Sequence, residues 1–209
     1  MKSRSFLQLE TLRARLLAEP PALPLTPKRS DYDLNPLTKP DLPRRLTPAA
    51  VLIPIVARRQ PMVLFTKRSE ALPHHPGQVS FPGGRANRSD ASLVATALRE
   101  MAEETGIAAD FVTVAGFLGA YETVTGFAVL PVVGLLREGF TLAPEPREVD
   151  GVFEVPLAFL IDPANRREEK REWKGGWRRF YAFRYETHYI WGATAAIVVE
   201  LAERLHDAT

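Results

Sequence analysis

Apolar, β-branched runs punctuated by turn residues fill the middle of the chain, and two helix-forming stretches accompany them, one at 90–105 and one at 194–205. Meandering strands with helices at the middle and the end predict an α/β (α+β) fold with a mixed β-sheet held between helices. The 209 residues suit a domain with a sizeable core.

Taken in order, Phe6, Leu9, Leu12, Leu16 and Leu17 recur at helical spacing and predict an N-terminal helix that packs on the domain or on a sister subunit in a homodimer. From Pro20 to Pro48 the chain is crowded with proline and lacks periodicity, so residues 1–48 read as a helix and an extended arm, and 49–209 as the main domain. Within the arm, Lys28 to Asp33 reads first as flexible surface and second as a segment folded against a nucleotide site. Ala49–Val56 and Pro61–Thr66 read as a hairpin, Gln78–Phe81 as a short strand, and Val112–Ala120, Phe127–Leu136 and Gly151–Val155 as further strands. Pro156–Ile161 suggests a short helix. Arg171–Trp177 and Phe180–Tyr189 suggest another hairpin about Lys174-Gly175-Gly176-Trp177, and Thr194–Leu205 an apolar-faced helix.

The helix at 90–105 carries the densest chemistry. It lacks internal proline and glycine, Ser89 or Asp90 can cap its start, and Gly106 stops it. Glu100, Glu103 and Glu104 stand at i, i+3 and i+4, on one face, while Val94, Leu98, Met101 and Thr105 form the arc expected to bury. Three neighbouring carboxylates repel, and Arg99 or a divalent cation would offset that. The preceding Phe81-Pro82-Gly83-Gly84 ends a strand in two glycines, which lets backbone approach a ligand and leaves carbonyls to coordinate. Hard oxygen donors of this kind suit magnesium or manganese with substrate phosphates as further ligands, a pyrophosphate-handling arrangement.

Other features set bounds. No cysteine is present, which excludes disulfides, thiolate catalysis and cysteine-ligated metals and fits a reducing cytoplasm, the expected location. The N-terminal apolar residues are interrupted by Gln8, Glu10, Arg13 and Arg15, so neither a signal peptide nor a membrane partner is expected. A formal charge of +2 does not mark nucleic acid as the partner. The adjacent His74 and His75 lack a third ligand nearby, and His188 and His206 read as packing or surface residues. Trp173, Trp177, Arg178, Arg179 and Tyr181 interleave rings and cations, which suits a solvated hairpin, a stack of single-stranded bases or an adenine nucleotide.

The run Gly84-x5-Asp90-x8-Arg99-Glu100-Met101-x-Glu103-Glu104-x-Gly106-Ile107 resembles the Nudix box of hydrolases acting on nucleoside diphosphates linked to another moiety. The usual box has a glutamate and a shorter spacer before the Arg-Glu pair, so the resemblance assigns Asp90 no role. Upstream, Leu64 to Ser69 and Gly77 to Gly84 resemble the signature of coenzyme A pyrophosphatases. Tyr121 to Phe127, Pro131 to Gly134 and Tyr189 to Thr194 are also similar to bacterial members, so the likeness spans about 50–205.

The resemblance implies an α/β/α sandwich, a Mg2+ or Mn2+ cofactor held by Glu100, Glu103, Glu104 and the Gly84 carbonyl, and Arg99 as an orienting partner. It implies a small-molecule substrate, CoA or a related nucleotide such as NADH, ADP-ribose or a nucleoside triphosphate. A regulatory or RNA-binding protein on the same scaffold is the reading from another class. The subfamily commonly carries an arginine where this chain has Pro73, which leaves Arg68 and Arg85, with Gly83, as the nearest substrate-binding candidates. Two residues compete as general base: Glu103 on the box helix, and Glu148 in the loop Pro144-Glu145-Pro146-Arg147-Glu148.

Overall fold

The computed structural model describes residues 9–41, 44–173 and 175–206. In chain order these form α1 (Leu9–Arg13), β1 (Arg29–Ser30), β2 (Thr47–Val56), β3 (Met62–Arg68), β4 (Val79–Ser80), β5 (Gly83–Arg85), α2 (Leu93–Thr105), β6 (Val112–Phe117), β7 (Tyr121–Glu122), β8 (Phe127–Leu136), β9 (Val149–Pro156), α3 (Leu157–Ile161), β10 (Arg167–Trp173), β11 (Gly176–Tyr185), β12 (His188–Trp191) and α4 (Ala193–His206).

The two longest apolar runs become the centre of the sheet. β2 and β8 lie parallel from Thr47 opposite Phe127 to Val56 opposite Leu136. The other edge of β2 is divided: Ala49–Val51 pair with β5, and Ile55–Val56 pair with β3. At the parting, Leu52 N–H donates to the Pro82 carbonyl (2.9 Å). This fork keeps the two glycines within the sheet, as the start of β5 rather than the end of the preceding strand, and sets them beside α2. β3 continues to β4 and β9, β8 takes β6 and β7 on its far side, and β1 adds to β7 in parallel, giving a mixed nine-stranded sheet. β10, β11 and β12 make a separate antiparallel sheet.

Period-two alternation assigns each residue of β2 to a face. Ala49, Ile53 and Ile55 pack in one cluster with Ile197, Val198 and Leu201 of α4, and Ala50, Leu52 and Val56 in another with Leu93, Ala97 and Met101 of α2. Helices therefore cover both faces of a mixed sheet, the expected α/β/α layering. Each Leu or Ile removed completely from water contributes roughly 1.5–3 kcal/mol, and many in both clusters are so buried.

Several elements depart from the sequence reading. Of the N-terminal helix, Phe6 lies outside the described residues, and α1 is short; Leu12 and Leu16 are nonetheless buried, and Leu17 forms a bridge with Phe117. Residues 28–33 are not flexible surface. Asp31 N–H donates to the Glu122 carbonyl, Tyr32 is 4% exposed, and β1 extends the sheet. The expected strand Phe180–Tyr189 is broken by a second turn at Glu186, whose φ of 50° is left-handed, so a third strand forms where a two-stranded hairpin was expected. Lys174, in the first turn, lies outside the described residues, as does the Trp173 side chain.

Candidate active site

The box helix begins later than expected. Ser92, not Ser89 or Asp90, is the N-cap, its side chain accepting from Ala95 N–H (3.1 Å), and Gly106 closes the helix at φ 75°. Asp90 is thereby released for another task. Its Oδ1 accepts from Arg99 Nε (2.9 Å), and its Oδ2 from Arg99 Nη2 (3.1 Å), Thr96 Oγ1 (2.8 Å) and Asn87 N–H (2.9 Å). This forked pair holds the Asp90 carboxyl well below the usual carboxylate range and ties the loop after β5 to the first half of α2.

Arg99 then reaches the carboxylates it was expected to orient. Its Nη1 lies 2.9 Å from Glu100 Oε1 and 2.7 Å from Glu103 Oε2. The three glutamates share a helix face in sequence but not an environment. Glu103 is 53% exposed at the side chain, Glu100 is largely covered, and Glu104 is buried at 3% exposure. The buried arc thus runs through Leu93, Thr96, Ala97, Met101, Glu104 and Thr105, with Val94 and Leu98 only partly covered.

Glu104 points toward β3 and the first glycine of β5. Its Oε2 accepts from Thr66 Oγ1 of β3 (3.2 Å), and the Gly83 amide also donates to it. Burial, reinforced by the Glu100 charge, pushes its carboxyl up to about 8, against the opposing pull of Thr66, Arg68 and Gly83. Burial also raises Glu100; Arg99 opposes this, while Glu103 and Glu148 add to it. Glu148 therefore acts electrostatically on the box, and its loop is tied to the end of β3 by Ser69 N–H donating to the Glu148 carbonyl (2.9 Å).

Glycines make this closeness possible. A Cβ on Gly84 would lie 2.6 Å from the Glu100 carboxylate, and one on Gly83 2.5 Å from the Ala50 carbonyl. Among the described residues no three carboxylate or imidazole groups already surround one point, because Glu103 leans onto Arg99 while Glu104 turns inward. The donor set nonetheless suits a hard cation. Glu100 and Glu104 are crowded beside the glycine backbone of β5, and burial keeps both raised despite Arg99 and Arg68; magnesium commonly takes one or two carboxylates and completes its shell with water and phosphate.

Gly83, Gly84, Arg68 and Arg85 line one cavity of about 780 Å³. Arg68 Nε is buried and has no hydrogen-bond partner among the described residues. The opposite wall, which the sequence reading only partly found, comes from the small sheet and the arm: Arg171, Arg178, Phe180, Trp191 and Asp31. Strand alternation was the missed signal. Trp177 is 65% exposed with Lys170 5.1 Å from its ring, and Tyr181 packs against the core, so the small sheet's aromatic rings in the cleft are Phe180 and Trp191, and Phe127 of β8 lines it too.

A carboxylate-bearing helix thus packs behind the glycine strand β5 on a forked mixed sheet, beside a cleft lined by several arginines. The NUDIX domain family model matches residues 46–180, and the chain belongs to the Nudix family as a Nudix hydrolase. It is 44% identical over 163 residues to the uncharacterized Nudix hydrolase NudL of Yersinia enterocolitica, covering 76% of this chain and 81% of that protein. The NudL protein of Photorhabdus laumondii is 41% identical over 173 residues, 81% of this chain and 92% of that one. Among solved structures, the MutT/nudix family protein from Enterococcus faecalis superposes with a TM-score of 0.48 at 16% identity, over 82% of this chain and 66% of that one. Among the described residues no helix is long and apolar enough to cross a membrane.

Proposed function

We propose that this Nudix hydrolase cleaves the diphosphate of coenzyme A or an acyl-CoA, giving adenosine 3′,5′-bisphosphate and 4′-phosphopantetheine or its acyl form. The carrying observation is that residues of the upstream CoA-pyrophosphatase-like segment, Arg68, Gln78, Ser80, Gly83 and Gly84, line the same cleft as the arginines and rings of the opposite wall.

A diphosphate is slow to hydrolyse because its charge repels nucleophiles, so its oxygens must be neutralised and a water aligned for in-line attack. Glu100, Glu104 and the Gly84 carbonyl, with Glu103 once it leaves Arg99, would hold Mg2+ or Mn2+. When bound, such a cation neutralises phosphate oxygens and makes a coordinated water more acidic. Arg68, whose Nε has no partner among the described residues, donates to the diphosphate. The new bond joins the water oxygen to one phosphorus, the bridging P–O bond breaks with its electron pair leaving on the other phosphate, and a carboxylate takes the water's proton.

We assign that base to Glu148. It is exposed and its charge reaches Glu100, whereas Glu103 Oε2 already accepts from Arg99. Glu148→Gln is expected to lower kcat by about 10²–10⁴-fold, with Glu103→Gln losing less at saturating metal. The reverse order transfers the role to Glu103.

The substrate test incubates the protein with CoA, NADH and ADP-ribose in Mg2+, Mn2+ or chelator and identifies products by mass. Metal-dependent release of 4′-phosphopantetheine, abolished in Glu104→Gln, is the expected outcome. Cleavage of NADH or ADP-ribose alone would keep the chemistry and remove CoA.

A further inference from the structure

We propose that the cross-strand pair Arg171 and Arg178, with Phe180 and Trp191 beside it, is a second phosphate subsite with an aromatic platform, which takes the 3′-phosphate and base of a 3′-phosphorylated adenine nucleotide. This deepens the CoA reading and rests on it.

Arg171 of β10 stands directly opposite Arg178 of β11. Side chains so paired share a face of the sheet a few ångströms apart, and like charges there destabilise the pairing. Two other arginines of the small sheet are ion-paired: Arg179 with Glu168, and Arg184 with Glu169 (3.2 Å). Arg171 has no ion pair among the described residues and is exposed. Arg178 is oriented by the arm, its Nη2 donating to the Asp31 carbonyl (3.1 Å) and its guanidinium 5.4 Å from the centre of the Tyr32 ring. Acids at the cleft are few. Two line it with the arginines: Asp31, whose carboxylate oxygens accept from Tyr121 O–H and Val124 N–H and whose charge also meets Arg178, and Glu172, next to Arg171 on β10. A dianionic phosphate monoester placed between the two forks would offset their repulsion and accept charge-assisted bonds from both.

The rings supply the other half of the subsite. Phe180 follows Arg178 by two residues on the same strand face, and its ring centre is 5.3 Å from that of Trp191. Both line the cleft with the arginines. Base stacking on such rings contributes about 1–3 kcal/mol per base. The cleft thus offers two separate cationic groups: Arg68 and Arg85 beside the glycines of β5, and Arg171 and Arg178 on the small sheet. That matches a ligand with a diphosphate and a distinct monoester on either side of one ribose. ADP-ribose and NADH have only the first.

The test is steady-state kinetics of the full chain and of Arg171→Ala with CoA and with dephospho-CoA, which lacks only the 3′-phosphate. Loss of a forked, charge-assisted contact is expected to raise KM for CoA roughly tenfold in Arg171→Ala, with kcat within about twofold and dephospho-CoA unaffected. Arg171→Lys, which keeps the charge and loses the fork, is expected to fall between. An equal change with both substrates, or none with either, overturns the subsite and leaves CoA hydrolysis standing. If neither substrate is cleaved, the CoA reading falls, and calorimetric titration with adenosine 3′,5′-bisphosphate and with AMP decides the subsite alone. It survives only if the bisphosphate binds more tightly and Arg171→Ala removes the difference.

Discussion

Glu104 shows how a single residue can hold the fold and the site in tension. Its carboxylate is buried against Thr66 and the Gly83 amide, and its pKa stands near 8 against an ordinary 4.5. The group therefore favours the folded state when protonated. That contribution is complete below about 4.5, is lost progressively as pH rises toward 8, and changes little above it. In chelator, Glu104→Gln is accordingly expected to raise the melting temperature at pH 8, by the equivalent of a few kcal/mol at most, and to leave it nearly unchanged at pH 4.5. An equal offset at both pH values would mean that packing, not ionisation, separates the two proteins. The sequence made the three carboxylates visible as a set, because spacing places side chains on a helix face. It could not rank them, because burial depends on β3 and β5, which reach α2 from distant parts of the chain. The same limit hid Asp90, whose value lies in a fork with Arg99 that only the folded loop creates.

At the scale of elements, α2 separates two jobs that its sequence made look like one. Ser92 caps the helix and Asp90 anchors Arg99. Ser92→Ala is expected to cost about 1 kcal/mol of stability and leave turnover unchanged. Asp90→Asn is expected to leave helix content unchanged by circular dichroism and reduce turnover by about 10–100-fold, since Arg99 would no longer be held against the box carboxylates. If the two variants exchange phenotypes, Asp90 is the cap after all. Elements dictated by continuous apolar runs were legible: β8 occupies Phe127–Leu136, as its sequence indicated, and α4 agrees within one residue at each end. Elements dictated by partners were not. β1 exists because β7 offers it an edge, and the Phe180–Tyr189 run bends at Glu186 although nothing in its composition marks a left-handed residue there. The alternation of β10 and β11 was readable in principle, but the order of rings and cations along the chain obscured which of them share a face.

For the molecule as a whole, the arm fastens the small sheet at the cleft, in addition to the packing of β12 on β4 and of Phe183 and Ile190 in the main core. Tyr32 is buried between two guanidiniums, with Arg44 5.7 Å and Arg178 5.4 Å from its ring centre, and Arg44 also binds the β7–β8 turn through the Thr123 and Val124 carbonyls. Asn35 then imitates a neighbouring strand. Its Nδ2 donates to the Arg179 carbonyl (2.8 Å), and its Oδ1 accepts from the Arg179 N–H (2.8 Å). Removing that side chain leaves both backbone groups of Arg179 without this partner, at a cost of about 1–3 kcal/mol if they stay buried, and frees β11 to move relative to the main sheet. The box carboxylates lie on α2 and have no contact with Asn35, so the chemical step should not sense the change directly. Asn35→Ala is therefore expected to raise KM for CoA several-fold with kcat nearly constant, and to speed amide hydrogen exchange at residues 178–180. A matching fall in kcat would mean that the arm acts on the box itself. An unchanged KM with faster exchange would show that the far wall can loosen without affecting binding, and the arm would then be only a fastening for the small sheet.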